Sequence, residues 1–250
     1  MLLTMPSSAD LSLAIAPLLL GYVIGWASPR LRQRWRTRRA RKFWKPFARL
    51  RRLRVIAGGH RGRLDGWEAS GLAGIGDVKA LTELQDIFVE NHLGRLPTTF
   101  STSHNLALIE GMDLILIGGP DANWATLETA SRLPGRFTFG DVKDHAISIT
   151  DWVTGRVYSP NIRVDGVVDQ DVGVIKMMPS PFGTDNRIMI IAGAFGYGTL
   201  AGVKLTRQKK FLQHPLIANG GLFECLFHVD IVADEPLPAE IHVVYPLATK

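Results

Sequence analysis

Three glycine-rich turns carry most of the chemistry that this chain could offer. Gly58–Gly62 reads GGHRG, Gly118–Asn123 reads GGPDAN, and Gly193–Gly198 reads GAFGYG. Each follows a short apolar run that reads as a strand. In an open α/β sheet, ligands bind beyond the carboxyl ends of the strands. Glycine lets the backbone turn tightly and approach a ligand closely. A helix that follows offers free N–H groups and the positive end of its dipole, which suits phosphate or carboxylate. The candidate ligand-binding residues are therefore Gly58, Gly59, His60 and Arg61 in the first turn. In the second they are Gly118, Gly119, Asp121 and Asn123. In the third they are Gly193, Gly196, Tyr197, Gly198 and Thr199. Arg61 suits an anion. Asn123 suits a helix N-cap or a ribose hydroxyl, and Tyr197 suits a stacked base or the cover of a sheet edge. The competing explanation is that the glycines serve tight strand–helix turns and hold nothing.

Other reactive groups are less organised. GAFGYGT has the glycine spacing of a phosphate-binding P-loop but lacks the Lys after the second glycine, so ATP hydrolysis by that route is not expected. Asp169 and Asp171 flank Gln170, and paired carboxylates can do acid–base work. Asp151, before Gly155, reads as a turn acid. Glu224 and His228 share one face of an expected strand, opposite Phe223, Cys225 and Phe227. That pattern reads as a polar outer face, with Cys225 in the core. The seven His are dispersed with no HExxH spacing, so no metal is expected. No cofactor is specified.

The elements that would position these turns alternate between strand and helix. Strands are expected at Leu53–Ala57, Leu106–Ile109, Asp113–Ile117, Gly166–Met178 and Ile188–Ala192. Helices are expected from Val78 to His92 with Asp77 as N-cap, from Asn123 to Leu133, and from Thr199 to Phe211. A hairpin closes the chain: Leu222–Val232, a turn over Asp234–Pro238, then Glu240–Tyr245. The fold class is α/β, a Rossmann-like sheet with an antiparallel C-terminal edge. LILIGGPDANWATLETASRL and IMIIAGAFGYGTLAGVKLTR echo each other 74 positions apart. Duplication and chance explain the echo equally well.

The first residues differ in kind. Leu11–Ala27 carries no charge over 17 residues, which meets the lower bound for a membrane span. Tyr22 and Trp26 stand where interfacial aromatics belong. Residues 1–10 lack the positive charge that a cleaved signal peptide wants. Residues 30–54 hold thirteen Lys or Arg and no acid, whereas Val55–Lys250 holds sixteen basic residues against twenty-two acids. The net charge of +6 is therefore the sum of a +13 strip and a −6 body, and a nucleic-acid-binding domain is not expected. One Cys excludes a disulfide framework. The expected organisation is a tail (1–10), one transmembrane helix (11–28), a basic juxtamembrane segment (29–54) and an α/β domain (55–250). Positive charge after the span places the N-terminus outside and the domain in the cytoplasm. The strip, with Trp35, Phe43, Trp44 and Phe47 interleaved, suits anionic headgroups.

LILIGGPDAN and IMIIAGAFGYGTLAG, with YSP and a Pro-Phe-Gly turn between them, resemble a prokaryotic domain with GGPxxN and AGxxGxGT motifs, sometimes attached to regulatory modules. The resemblance spans residues 53–245. It implies a Rossmann-like sensor domain of no established activity and supplies no catalytic residues. The expected function is thus a membrane-anchored cytoplasmic domain that binds a nucleotide-like anion in sensing or signalling, with the membrane as partner and a homo-oligomer open. One alternative is an enzyme on nucleotides or nucleosides, with Asp121, Asp171 or His60 as acid–base groups. The other is a structural membrane protein without a ligand.

Overall fold

The apolar runs before the glycine turns become the centre of one mixed sheet. A computed structural model of the chain describes residues 38–59, 72–102, 104–143 and 146–247. The chain divides into two units, Met1–Arg39 and Ala40–Lys250, and the sheet with its covering layers lies in the second. Chain order gives α1 (residues 38–44), two 3-10 turns (Lys45–Phe47 and Leu50–Arg52), β1 (Leu53–Ala57), α2 (Ile75–Glu90), β2 (Thr98–Phe100), β3 (Asp113–Ile117) and α3 (Trp124–Arg132). There follow β4 (Phe137–Lys143), β5 (Ala146–Asp151), β6 (Val157–Tyr158), β7 (Asn161–Ile162), β8 (Val168–Pro179), β9 (Arg187–Gly193) and α4 (Gly196–Leu205). The chain continues through α5 (Lys209–Gln213), α6 (Pro215–Ala218), β10 (Phe223–Val232), β11 (Glu235–Pro236) and β12 (Glu240–Pro246).

The large sheet runs β11-β10-β8-β9-β3-β1-β2, with β12 also on β10 and β7 on β8. β9, β3, β1 and β2 are mutually parallel, whereas β8, β10 and β12 pair antiparallel. The fold is thus α/β and Rossmann-like. Side-chain alternation divides each central strand between two cores. Leu53, Val55 and Ala57 of β1 face one side with Ile115, Ile117, Met189 and Ile191. That side is covered by α2 and α4, with Phe211 of α5 and Ile217 of α6. Ile56, Leu114, Leu116, Ile188 and Ile190 face the other side, against Ala125 of α3. Strands buried on both faces read as continuous apolar runs, which is why β1, β3 and β9 were visible in the sequence. In α2, Ala80, Leu84, Ile87 and Phe88 recur at helical spacing and face the sheet.

Several local expectations change. Leu106–Leu108 is a 3-10 turn, not a strand; Asn105 caps it by accepting from the Ala107 N–H at 3.1 Å. The expected Thr199–Phe211 helix is two: α4 ends at Leu205, and Gln208 starts α5. A second, three-stranded sheet (β4-β5-β6) was not anticipated. Its Phe137 and Ile149 pack on Val172, Val174 and Leu226. It therefore covers the face of β8 and β10 that the sequence reading left to solvent, and Glu224 is 2 % exposed rather than part of a polar surface. Asp151, read as a turn acid, is also buried. Arg136 Nε donates to its Oδ1 and Nη2 to its Oδ2, both at 2.9 Å, and the guanidinium lies over the Tyr245 ring. That pairing holds the Asp151 carboxyl down at about 2.

No helix among the described residues is long and apolar enough to cross a membrane. The Leu11–Ala27 segment lies outside the described residues, as do Trp35, His60 and Arg61.

Candidate functional site

Strand order reverses between β1 and β3. β1 leads through α2 to β2 on one side, while β3 leads towards β9 on the other. Diverging connections leave a crevice at the carboxyl ends of the two central strands. The first two glycine turns stand there and are tied to each other. Gly58 N–H donates to Ile117 O and Gly59 N–H to Ala122 O, each at 2.9 Å. Gly118 has φ +99°, which a side chain would resist.

Asn123, fully buried, braces this edge. Its Oδ1 accepts from the Ala125 N–H at 3.1 Å, capping α3. Its Nδ2 donates to Ile56 O at 2.8 Å and Ile117 O at 3.0 Å. The amide thus holds the ends of β1 and β3 together, and the capping role expected from the sequence is filled. Both of its amide hydrogens are already used.

The third turn is engaged from within. Asp171 of β8, fully buried, reaches under the N-terminus of α4. It accepts from Gly198 N–H at 2.5 Å, from Phe195 N–H at 3.1 Å and from Val172 N–H at 2.7 Å. Burial pushes Asp171 up to about 7, against the pull of these N–H groups. A side-chain carboxyl group therefore occupies the place where a P-loop-like turn would hold phosphate. Asp169, its expected partner, is exposed and faces Arg163 at 3.5 Å. Thr199 Oγ1 accepts from Gly193 N–H at 3.1 Å, closing the turn on itself. Tyr197 donates its hydroxyl to Asp234 Oδ1 at 3.0 Å and packs against the core edge, which fits a cover rather than a stacking platform.

Asp77 is the residue that sequence reasoning placed wrongly. It is not the N-cap of α2. Gly74 is, and Asp77 is the third helical residue. It is 6 % exposed, and a Cβ on Gly58 would collide with its carboxylate. A Cβ on Gly118 would lie 3.1 Å from Asp77 Oδ2, so the carboxylate sits over both central glycine turns. Burial raises Asp77 to about 6, the Asp121 charge adds to the rise, and a Thr199 hydrogen bond opposes it. Asp121 stands over Gly119, where a Cβ would lie 2.6 Å from its Oδ1. The signal was present in the sequence, as an acid in the first turn of the helix after a Gly-Gly strand end. α2 and α4 meet at their N-termini, where Gly76 packs on the Gly196 backbone.

No known family, curated protein or solved structure matches the chain. The site therefore rests on its own geometry. Among the described residues no group of three or more His, Cys, Asp or Glu is placed to hold a metal ion.

The three helix N-termini at this edge differ in one respect. That of α3 is capped by Asn123 and that of α4 by Asp171. That of α2 has no side-chain cap among the described residues.

Asp77 gives a direct test of the site's electrostatics. Its folded pKa, about 6, lies above the ordinary 3.8. The folded state then holds the proton more tightly, so this group's contribution is fullest below pH 4 and is lost as pH rises through 6. Asp77→Asn removes the charge and keeps the shape. At pH 8 it should stabilise the protein by up to about 3 kcal/mol at about 1.4 kcal/mol per pKa unit, with no gain at pH 4. Chemical denaturation at the two pH values reads this, and an equal effect at both would show that Asp77 is not strained.

Proposed function

We propose that this chain binds a nucleotide-like anion at the carboxyl ends of β1 and β3 and acts as a membrane-anchored cytoplasmic sensor or signalling domain. The observation that carries the ligand reading is the N-terminus of α2, which no described side chain caps, at the strand-order reversal beside Gly58-Gly59 and Gly118-Gly119. Helix N–H groups at such a point suit a phosphate. Arg61, two residues beyond Gly59, is the side-chain partner proposed for it. Asp77 next to the phosphate is tolerated in its protonated form, when it donates a hydrogen bond. Asp121 is left to accept from hydroxyl or amino groups of the ligand. The anchor proposed is Leu11–Ala27, with the N-terminus outside because the positive charge follows the span.

The test is thermal unfolding of the full chain with ATP, GTP, NAD and AMP at pH 5.5 and pH 8. A bound ligand raises the midpoint by mass action. The midpoint should rise with at least one nucleotide, more at pH 5.5 than at pH 8, and Asp77→Asn should erase that difference. No shift with any of the four at either pH would end the nucleotide reading.

A second reading is favoured by Asp77, which burial and then the Asp121 charge push up to about 6, a value that suits a general acid. On this reading the chain is an enzyme on nucleotides, with Asp77 as acid and Asp121 as base. Chromatography of each nucleotide after incubation separates the two, because a sensor returns it unchanged. Asp171 is not part of this reading, since it is enclosed and its oxygens are taken by backbone N–H groups.

A further inference from the structure

The strap formed by residues 40–52 has two sharply different sides. Ala40, Phe43, Trp44 and Phe47 are buried in the main core; the Trp44 ring packs at a tilt on Phe88 of α2, and the Phe43 ring packs edge-to-face with Phe211 of α5. Leu50 packs on Gly94 just after α2. The segment read as a free juxtamembrane strip is thus, from residue 40, bound into the folded unit. Its outer side carries Arg41, Lys42, Lys45, Arg49, Arg51 and Arg52, all exposed, with no acid in the strap. Among the described residues none of the six forms an ion pair; Arg41 and Lys42 donate to backbone carbonyls, Asn91 O and Ala218 O. In α2, Glu83 and Glu90 are held by Arg207.

Six exposed cations with no ion pair among the described residues, on a strap packed into the core, form a surface for a polyanion, since a solvated charged face in a net-acidic body would recruit some of its own acids. Two kinds of polyanion have this chemistry. Single-stranded nucleic acid is normally held by cations together with exposed aromatics on which bases stack. Here every aromatic of the strap is buried. The remaining body, with its excess of acids, would also repel a long strand lying across it. An anionic bilayer needs no stacking and contacts only one end of the molecule. The chain also carries 17 uncharged residues upstream of this strap. The strap enters β1 at Leu53, paired with Asp113 at the amino end of the parallel strands, which is opposite the glycine turns.

We propose that the cationic outer side of residues 41–52 docks on anionic lipid headgroups, holding the amino end of the sheet to the membrane surface and leaving the carboxyl-end crevice open. The proposal rests on the membrane part of the function given above and not on its ligand.

The test uses the full chain with an environment-sensitive fluorophore on Arg51→Cys. The native Cys225 is buried and leaves the label selective. The label is placed separately on Val164→Cys, an exposed residue in the β7–β8 turn at the far end of the sheet. Vesicles of phosphatidylcholine alone are compared with vesicles containing phosphatidylserine. The expected result is a blue shift at position 51 with phosphatidylserine vesicles only, no shift at 164, and loss of the signal in 1 M salt. Lys45→Gln with Arg49→Gln and Arg52→Gln should raise the phosphatidylserine needed by roughly 100-fold, at about fivefold per cation. Equal response to both vesicles, no response to either, or a response to a single-stranded oligonucleotide at lower phosphate concentration would each overturn the proposal. The nucleotide shifts in thermal unfolding are unaffected by these variants, so failure here is distinguishable from failure of the ligand reading.

Discussion

Asp171→Ala should lower the midpoint of thermal unfolding at pH 5 by roughly 6–12 °C, the equivalent of about 3 kcal/mol in a domain of this size. The reason is local. Asp171 accepts from the N–H groups of Phe195 and Gly198, and no other side chain caps this end of α4. Removing it strands buried donors at about 1–3 kcal/mol each and leaves the helix dipole unanswered. The deficit should depend on pH. Asp171 has a folded pKa of about 7 against an ordinary 3.8. Its contribution is therefore fullest below pH 4 and declines as pH rises through 7, so the penalty of the alanine variant shrinks towards pH 8. Formate fits the space that the side chain vacates and offers the same two oxygens to the stranded N–H groups. Formate at about 0.1 M should restore part of the loss in Asp171→Ala and leave the native protein unchanged. If formate had no effect, or if chloride of equal strength matched it, the idea of an internal carboxyl group filling this turn would fail.

That occupancy also explains what the sequence could and could not say about the site. Three glycine turns at three strand ends were legible because glycines and apolar runs are local signals. β1 and β3 form over the residues expected, and Asn123 caps α3 as expected. What distinguishes the turns is not local. Asp171 lies 27 residues from Gly198 in the chain and meets it only because β8 pairs antiparallel with β9. Asp77 looked like an N-cap because acids favour that position, yet Gly74 takes it and Asp77 turns inward over Gly58. The small sheet was hidden for a different reason. β4 and β5 alternate over only a few residues, as Phe137-Thr138-Phe139 and Ile147-Ser148-Ile149, and β8 and β10 carry a Lys and a Glu where a buried face wants apolar side chains. Those two residues imply solvent unless their partnership is known, because cross-strand pairing is a long-range fact. The aromatics of the basic strip misled in the same way. Phe43, Trp44 and Phe47 sit among cations in sequence and among core side chains in space.

The pair that hid the small sheet carries the largest expected effect on stability. Lys176 and Glu224 stand opposite each other in β8 and β10, 3 % and 2 % exposed, with Nζ 2.9 Å from Oε1. Each is also bonded to the loop between α3 and β4. Lys176 Nζ donates to Pro134 O at 2.9 Å and to Phe137 O, and Glu224 Oε2 accepts from Arg136 N–H at 2.7 Å. Breaking a buried pair from one side leaves an uncompensated charge, which typically costs about 3–5 kcal/mol. Glu224→Gln should therefore lower the unfolding midpoint on the order of 10 °C. Burial already pushes the Lys176 amine down, opposed by Glu224. Without the carboxylate the amine sheds its proton more readily than in the unfolded chain, so the variant should regain stability as pH rises from 7 towards 10. Lys176→Met with Glu224→Leu removes both charges and should cost less than either single change, because a matched apolar pair can replace a buried ion pair. The residual loss comes from the Arg136 N–H and the Pro134 and Phe137 carbonyls, which lose these side-chain partners, at about 1–3 kcal/mol for a buried group left unsatisfied. A double variant whose cost equals the sum of the singles would mean that the two charges act independently. Lys176 stands opposite Ile190, half-way along β9, and the pair is bonded to the segment 134–137 rather than to any of the three glycine turns. Any nucleotide-induced shift should therefore survive in the double variant, which separates the anchoring of the small sheet from the chemistry of the crevice.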